Sequence, residues 1–452
     1  MPRNIPDSTI IAMLEREAAL FAQRNPGSKI LAETASKHWL RGVPMHWMVD
    51  WGTPFPLFLE KAQDVRLTDV DGHEYVDFCL GDTGAMFGHS PAPVAETLAR
   101  QGARGLTTMM ASPDAAIVGQ LLADRFTLPL WQVTATASDA NRAVIKWLRA
   151  ITGRKKILVF SGCYHGAVDD AYVQLDDQGK AIADPALIGE VRDLTQFTKV
   201  VEFNDIEALR QALSERDVAC VLTEPMLTNT GMVMAAEGFH KALREATRQT
   251  GTYLIMDETH TMSSGPGGYT KAYGLEPDAI VMGKPIAGGI PAAVYGFSAE
   301  IGEKITEFLK TRIPGHSGIG TTLSGSPIQL ALMRTVLETY FTKEAFAPLL
   351  DLAKKLERGI ADVIIKYNLP WHVLRVGARV EFMCTPNHPR NGTEAARVIH
   401  QPVDIAIHHF LLNRGVVITP FHNMMLICPA TRDHHVDQLI NILDQCAAEL
   451  LR

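Results

Sequence analysis

From about Ala92 onward the chain alternates helical stretches with short apolar runs: Lys156 to Phe160, Val218 to Thr223, Thr252 to Met256 and Ala279 to Met282. Each run is rich in Val, Ile and Leu and follows a helical pattern. Runs that stay apolar without alternating need cover on both faces, so they predict an α/β fold with a large, doubly wound, mainly parallel sheet. With 452 residues the chain exceeds the length at which one core usually stops growing, and two lobes are predicted.

The flanks supply the second lobe. Ile11, Leu14, Ala18 and Phe21 recur at helical spacing after Asp7 or Ser8 as candidate cap, giving one amphipathic helix before the Asn25-Pro26-Gly27 break. Asp69-Val70-Asp71-Gly72 reads as a hairpin turn. Beyond Pro327 a long helical pattern leads to strand-like runs at Ala378 to Cys384 and Met424 to Cys428, then a final helix from about His434. The expected division is an N-terminal arm and part of the small domain over 1–60, a large α/β domain over 61–330 and a smaller α+β domain over 331–452.

Partners are narrowed by charge. The formal net charge is −7 and no run of five Lys or Arg occurs, which favours a small-molecule partner over nucleic acid. Six cysteines without paired spacing fit neither a disulfide framework nor a zinc site. The N-terminus lacks the apolar core of a secretory signal, and no apolar stretch reaches the roughly 18 residues of a membrane span. A cytoplasmic location away from membranes is expected.

Polar residues cluster just after the apolar runs, where open parallel sheets bind ligands. Asp257 ends one run. It suits a protonated pyridine nitrogen, although a strand-end Asp is more often a turn residue. Lys284 follows another run through Gly283 and enters a glycine-rich turn; a lysine there can form an imine with an aldehyde, whereas the bland alternative is a surface lysine. Thr134 to Asn141 places small hydroxyl residues before a helix, a phosphate site or plain N-capping by Ser138 or Asp139. Ser161-Gly162-Cys163-Tyr164-His165-Gly166 offers an aromatic ring to lie on a flat cofactor, or merely to pack. Together the four sites describe pyridoxal 5′-phosphate.

In this order the motifs resemble the class III (omega-type) aminotransferases of pyridoxal-phosphate fold type I, in the branch of glutamate-1-semialdehyde aminomutase and the amine transaminases. The resemblance runs from about residue 54 to the C-terminus. It rests on the Cys-Tyr-His-Gly block, Glu224-Pro225, Asp257-Glu258, Gly283-Lys284 and Thr322-Leu323-Ser324-Gly325-Ser326-Pro327. It implies Lys284 as the Schiff-base lysine, Asp257 as partner of the pyridine nitrogen, and Tyr164 and Thr259 on opposite ring faces. It also implies His165 beside the cofactor, Ala137 and Ser138 on the phosphate, and Glu224 near cofactor and substrate. Thr322 would reach the phosphate from a neighbouring subunit, so the resemblance implies a homodimer with shared active sites.

Departures from the family pattern shape the functional expectation. Thr136-Ala137-Ser138-Asp139 stands where Ser-Gly-Thr-Glu is usual, and Thr259-His260 where Val and Gln or Met are usual. His260 can reach the cofactor's phenolic oxygen or be a core histidine satisfied by backbone. Related enzymes carry a carboxylate-binding arginine in the segment that here reads Met45-His46-Trp47-Met48, with Arg41 the nearest guanidinium. Trp47, Asp82 and Glu224 are the expected substrate-pocket residues. The expectation is an amine-type transaminase moving an amino group between an amine or amino acid and a separate carbonyl compound, with a preference for substrates lacking a carboxylate. The alternative is an aminomutase or epimerase using the same lysine.

Overall fold

The computed structural model describes residues 5–452 apart from 314, 316 and 400. The chain forms two compact units. One comprises Met1–Pro91, Ala347–His388 and Val398–Arg452; the other comprises Ala92–Phe346 and Pro389–Arg397.

The second unit is built on a seven-stranded sheet in the order Leu130–Thr134, Ala293–Phe297, Ala279–Met282, Tyr253–Asp257, Val218–Thr223, Lys156–Phe160, Thr198–Val201. Ala293–Phe297 runs antiparallel to both its neighbours, and the other pairings are parallel. Every residue of Val218–Thr223, Tyr253–Asp257 and Ala279–Met282 is buried, as expected of strands covered on both faces. One face carries Ile157, Val159, Leu222, Ile255 and Val281 into a core with Val144, Ile145 and Leu148 of helix Ala137–Thr152. The alternate residue Phe160 points the other way, edge-on to Phe203 at 5.3 Å and packed on Phe239 at 5.6 Å, where helix Phe239–Thr250 begins.

The first unit holds the antiparallel strands Leu59–Gln63, Arg66–Asp69 and Glu74–Asp77, and a three-stranded antiparallel sheet of His372–Val376, Arg379–Met383 and Met424–Leu426. The Asp-Gly hairpin forms as its residues dictate: Gly72 takes φ +86°, and Asp69 accepts hydrogen bonds from the N–H groups of Asp71 and His73. It lies in the first unit, not at the start of a large domain from 61 as expected. Strand Glu74–Asp77 pairs in parallel with Val416–Val417, a contact between distant segments that local pattern does not display. The unit boundary falls at Pro91/Ala92.

Helix Asp7–Arg24 also departs from expectation. Pro6 is its cap, and the buried face is Ile10, Met13, Glu17 and Phe21, leaving Ile11 53% exposed. The face is turned because it buries a carboxylate: Glu17 accepts hydrogen bonds from Asn413 Nδ2 at 2.8 Å and Arg414 Nη1 at 3.0 Å.

Arg379 is the largest fully buried side chain of the first unit, 1% exposed, and its Nη2 donates to Thr83 Oγ1 at 2.9 Å with Asp82 Oδ1 at 4.0 Å. The guanidinium is buried while Asp82 keeps 28% of its side chain in solvent, so removing Arg379 loses the packing and the hydrogen bond of a buried side chain rather than stranding a buried charge. Arg379→Ala is therefore expected to cost roughly 2–3 kcal/mol, read from the urea midpoint. A cost below about 1 kcal/mol, typical of an exposed pair, would show that Thr83 and Asp82 do not hold the guanidinium. Among the described residues no helix is long and apolar enough to cross a membrane.

Candidate active site

Parallel strands deliver their C-terminal loops to one edge of the sheet. At that edge lie Asp257, last residue of its strand, Lys284 two residues beyond Met282, the loop 161–167 after Phe160, and Glu224 directly after Thr223. Strand Leu130–Thr134 runs there too, and leads into helix Ala137–Thr152.

Asp257 is 5% exposed and fully engaged. Its Oδ2 accepts from Asn141 Nδ2 at 2.8 Å and lies 3.0 Å from His165 Nδ1; its Oδ1 accepts from the Thr259 N–H at 3.1 Å and hydroxyl at 2.6 Å. Burial alone would raise its pKa. The hydrogen bond and charge of His165, with Thr259 and Asn141, more than offset burial and hold the carboxyl below the usual range, so Asp257 is an anion. For His165, burial opposes the imidazolium, yet the Cys163 sulfur and the Asp257 carboxylate outweigh it and raise the imidazole.

Lys284 has φ +49°, a left-handed conformation that costs a residue with a Cβ on the order of 1 kcal/mol or more. Its Nζ lies 2.9 Å from His260 Nε2. Two glycines let the loops close on the helix start. A Cβ on Gly283 would stand 2.9 Å from Ala137 Cβ, and one on Gly166, at φ +77°, would collide with Ser138 Oγ. Ser138 Oγ accepts from the Ala167 N–H at 2.9 Å. Thr136 caps the helix by accepting from the Asp139 N–H at 3.1 Å. The first-turn N–H groups of Ala137 and Ser138 precede the intrahelical ladder, as a helix N-terminus that receives an anion requires.

Glu224 is 3% exposed. Its carboxylate accepts from the Tyr164 N–H at 3.3 Å, the Thr228 N–H at 3.1 Å and the Thr228 hydroxyl. Burial pushes it up to about 7, since His165, Thr228 and the Tyr164 N–H only partly oppose the desolvation. A carboxyl whose folded value lies above its ordinary 4.5 stabilises the fold least once ionised. Stability relative to Glu224→Gln is thus greatest below pH 4.5 and declines as pH climbs towards 7. Between pH 4 and 8 the difference between wild type and variant is expected to shrink by roughly 3 kcal/mol. Paired denaturation curves across that range check this, and a constant difference would show that Glu224 ionises freely.

Asp257, Thr259, His165, Asn141, Lys284, His260, Ala137, Ser138, Tyr164 and Glu224 all belong to the second unit and are tied together by these contacts. Tyr164 is 45% exposed. The Thr259 hydroxyl, expected to lie against a ring face, is spent on Asp257. Thr322 sits in an exposed turn where the Thr321 N–H donates to Ser324 Oγ. Trp47 and Asp82 belong to the first unit: Trp47 stands edge-on to Phe421 at 6.4 Å, Asp82 accompanies Arg379, and Arg41 pairs with Asp50 at 4.0 Å. Asn141 was not singled out from sequence. A signal existed, since an Asn between Ala140 and Val144 on a buried helix face needs a polar partner.

A buried anion at the edge, a lysine amine and a helix N-terminus are the three anchors a phosphorylated pyridine aldehyde requires, so the residues fit that group. The sequence model described as "Aminotransferase class-III" matches residues 48–447.

The chain belongs to this family.

Its cofactor is pyridoxal 5′-phosphate and its fold is that of the fold type I enzymes. A glutamate-1-semialdehyde-aminomutase from Pseudomonas aeruginosa PAO1, solved in complex with PMP, is 45% identical, with TM-score 0.97 over 99% of this chain and 100% of that one. The glutamate-1-semialdehyde 2,1-aminomutase of Persephonella marina is 30% identical over 402 residues, 88% of this chain and 92% of the relative. An omega-transaminase from Sphaerobacter thermophilus is more distant, 26% identical with TM-score 0.85 over 95% of this chain and 99% of that one.

These likenesses overturn the expectation of transfer between two molecules. The relatives from Persephonella marina and Aquifex aeolicus are aminomutases, as is the Pseudomonas aeruginosa structure, and the Sphaerobacter thermophilus transaminase is a more distant structural neighbour than that one. The physical reason is that a lysine amine, a buried carboxylate and a helix N-terminus suit both reactions alike, so none of them discriminates. The expected preference for carboxylate-free amines falls with it: a missing arginine in one segment does not speak for guanidinium groups carried by others.

Proposed function

We propose that the chain is a pyridoxal-phosphate aminomutase acting on an α-amino aldehyde, with glutamate-1-semialdehyde as the compound to test first. Such an enzyme moves the amino group from carbon 2 to carbon 1 of one molecule. The single observation that carries this reading is the 45% identity, maintained over the full length of the Pseudomonas aeruginosa aminomutase. The cofactor, when bound, supplies an electron sink and an exchangeable amino group.

The chain's own residues have distinct tasks in this reading. Lys284 Nζ holds the cofactor covalently and, once released, takes a proton from one substrate carbon and returns it to another. Asp257 keeps the ring nitrogen protonated, with His165, Asn141 and Thr259 orienting its carboxylate. Ala137 and Ser138 bind the phosphate, and Tyr164 covers one ring face. Glu224 lines the substrate side, and Thr322 serves the phosphate of a second copy in a homodimer.

The test is turnover of glutamate-1-semialdehyde by the aminated holoenzyme with no added carbonyl acceptor. An aminomutase forms many equivalents of the α-amino ketone isomer per site. Conversion that stops at one equivalent and resumes only on adding a keto acid overturns the reading.

A further inference from the structure

His260 touches the lysine nitrogen of the site: His260 Nε2 to Lys284 Nζ is 2.9 Å. The contact is built rather than incidental. His260 is 6% exposed. Its carbonyl accepts from Ser263 Oγ at 3.0 Å, and the turn it opens is clamped by Glu258, which accepts from Thr261 Oγ1 at 2.6 Å and the Tyr269 N–H at 2.9 Å. Lys284 meets it from a strained left-handed backbone.

At hydrogen-bond distance an ammonium donates to a neutral imidazole nitrogen, because an ammonium and an imidazolium in that contact repel each other, and this contact is a path for the proton between the two nitrogens. A lysine alone is almost wholly protonated at neutral pH and is then neither nucleophile nor base. We propose that His260 is a catalytic acid–base residue that takes the Nζ proton of Lys284 on its Nε2, leaving a neutral amine, and hands that proton back later in the cycle. The step balances: the N–H bond at Nζ breaks, an N–H bond at Nε2 forms, and Nδ1 keeps its own hydrogen. An internal amino transfer has no net proton change, and a lysine–histidine pair keeps the moving proton within the site.

The inference rests on Lys284 being the residue that holds the cofactor. Its test therefore starts with cofactor-free protein and follows covalent attachment of pyridoxal phosphate by visible absorbance against pH, a readout independent of turnover. Glutamine at 260 still accepts a hydrogen bond but takes no proton. His260→Gln is expected to attach the cofactor at least about tenfold more slowly at pH 7, with its rate profile displaced to higher pH. Other groups of the site also titrate, Asp257 and His165 through their mutual contact and Glu224 on its own. Glu224 titrates in the same range, so both profiles are also taken in a Glu224→Gln background. An unchanged profile in His260→Gln, with its melting temperature intact, overturns the inference and leaves Lys284 in place. A lysine-bound absorbance that persists in Lys284→Ala overturns the underlying reading.

Discussion

Lys284→Ala is expected to lose at least about 10⁴-fold in turnover and all of the visible absorbance of lysine-bound cofactor, while the protein stays folded. The size of the effect follows from one nitrogen doing two jobs. As general acid–base, a positioned side chain contributes on the order of 10²–10⁴-fold. Covalent attachment adds the advantage of an intramolecular amine, whose effective concentration exceeds anything reached with free amine in solution, so added methylamine is expected to restore little. Stability is expected to move the other way. At φ +49° the native lysine sits in a conformation that only glycine adopts without strain, so Lys284→Gly in the cofactor-free state is expected to be more stable than wild type by about 1 kcal/mol. Residual turnover above a hundredth of wild type would place the reacting amine elsewhere.

That strain marks what sequence reasoning reads well and what it reads poorly. The strands Lys156–Phe160, Val218–Thr223 and Ala279–Met282 were legible because burial on both faces imposes a composition that local inspection detects. Asp257 and Lys284 stood out because a charge directly after such a run has to be accounted for. The left-handed backbone of Lys284, by contrast, is imposed by the surroundings and leaves no trace in residue identity. Asn141 was missed because its partners, the Asp257 carboxylate at 2.8 Å and the His165 carbonyl at 3.1 Å, come from a distant strand end and from the loop after another strand. The face of helix Asp7–Arg24 was misjudged by one position because Glu17 is buried by Asn413 and Arg414 from the far end of the chain. The boundary at Pro91 depends on Val416–Val417 completing a sheet begun by the early hairpin. The choice between transferring an amino group and relocating it was illegible for a different reason, since the same groups suit both, and the matches differ in identity, 45% to the Pseudomonas aeruginosa aminomutase against 26% to the omega-transaminase, rather than in length.

Asp257→Asn removes the charge while keeping the volume. The amide has one acceptor oxygen where the carboxylate has two, so it keeps either the Thr259 contacts or those of Asn141 and His165, and it cannot stay anionic against a protonated ring nitrogen. His165, raised in the wild type partly by the Asp257 carboxylate, loses that support and tends towards the neutral imidazole that burial favours. The expected result is a fall in turnover of about 10³-fold, roughly 4 kcal/mol of barrier, with cofactor attachment to Lys284 retained. A stability signature accompanies it. Because the folded pKa of Asp257 is depressed, its charged form stabilises the fold at neutral pH, and that contribution fades as pH falls below the ordinary value near 3.8. The variant should therefore be less stable than wild type at pH 7, with the gap narrowing in acid. If Asp257→Asn instead turns over within tenfold of wild type, the ring nitrogen does not depend on this carboxylate, and the four hydrogen bonds converging on Asp257 serve the fold rather than the chemistry.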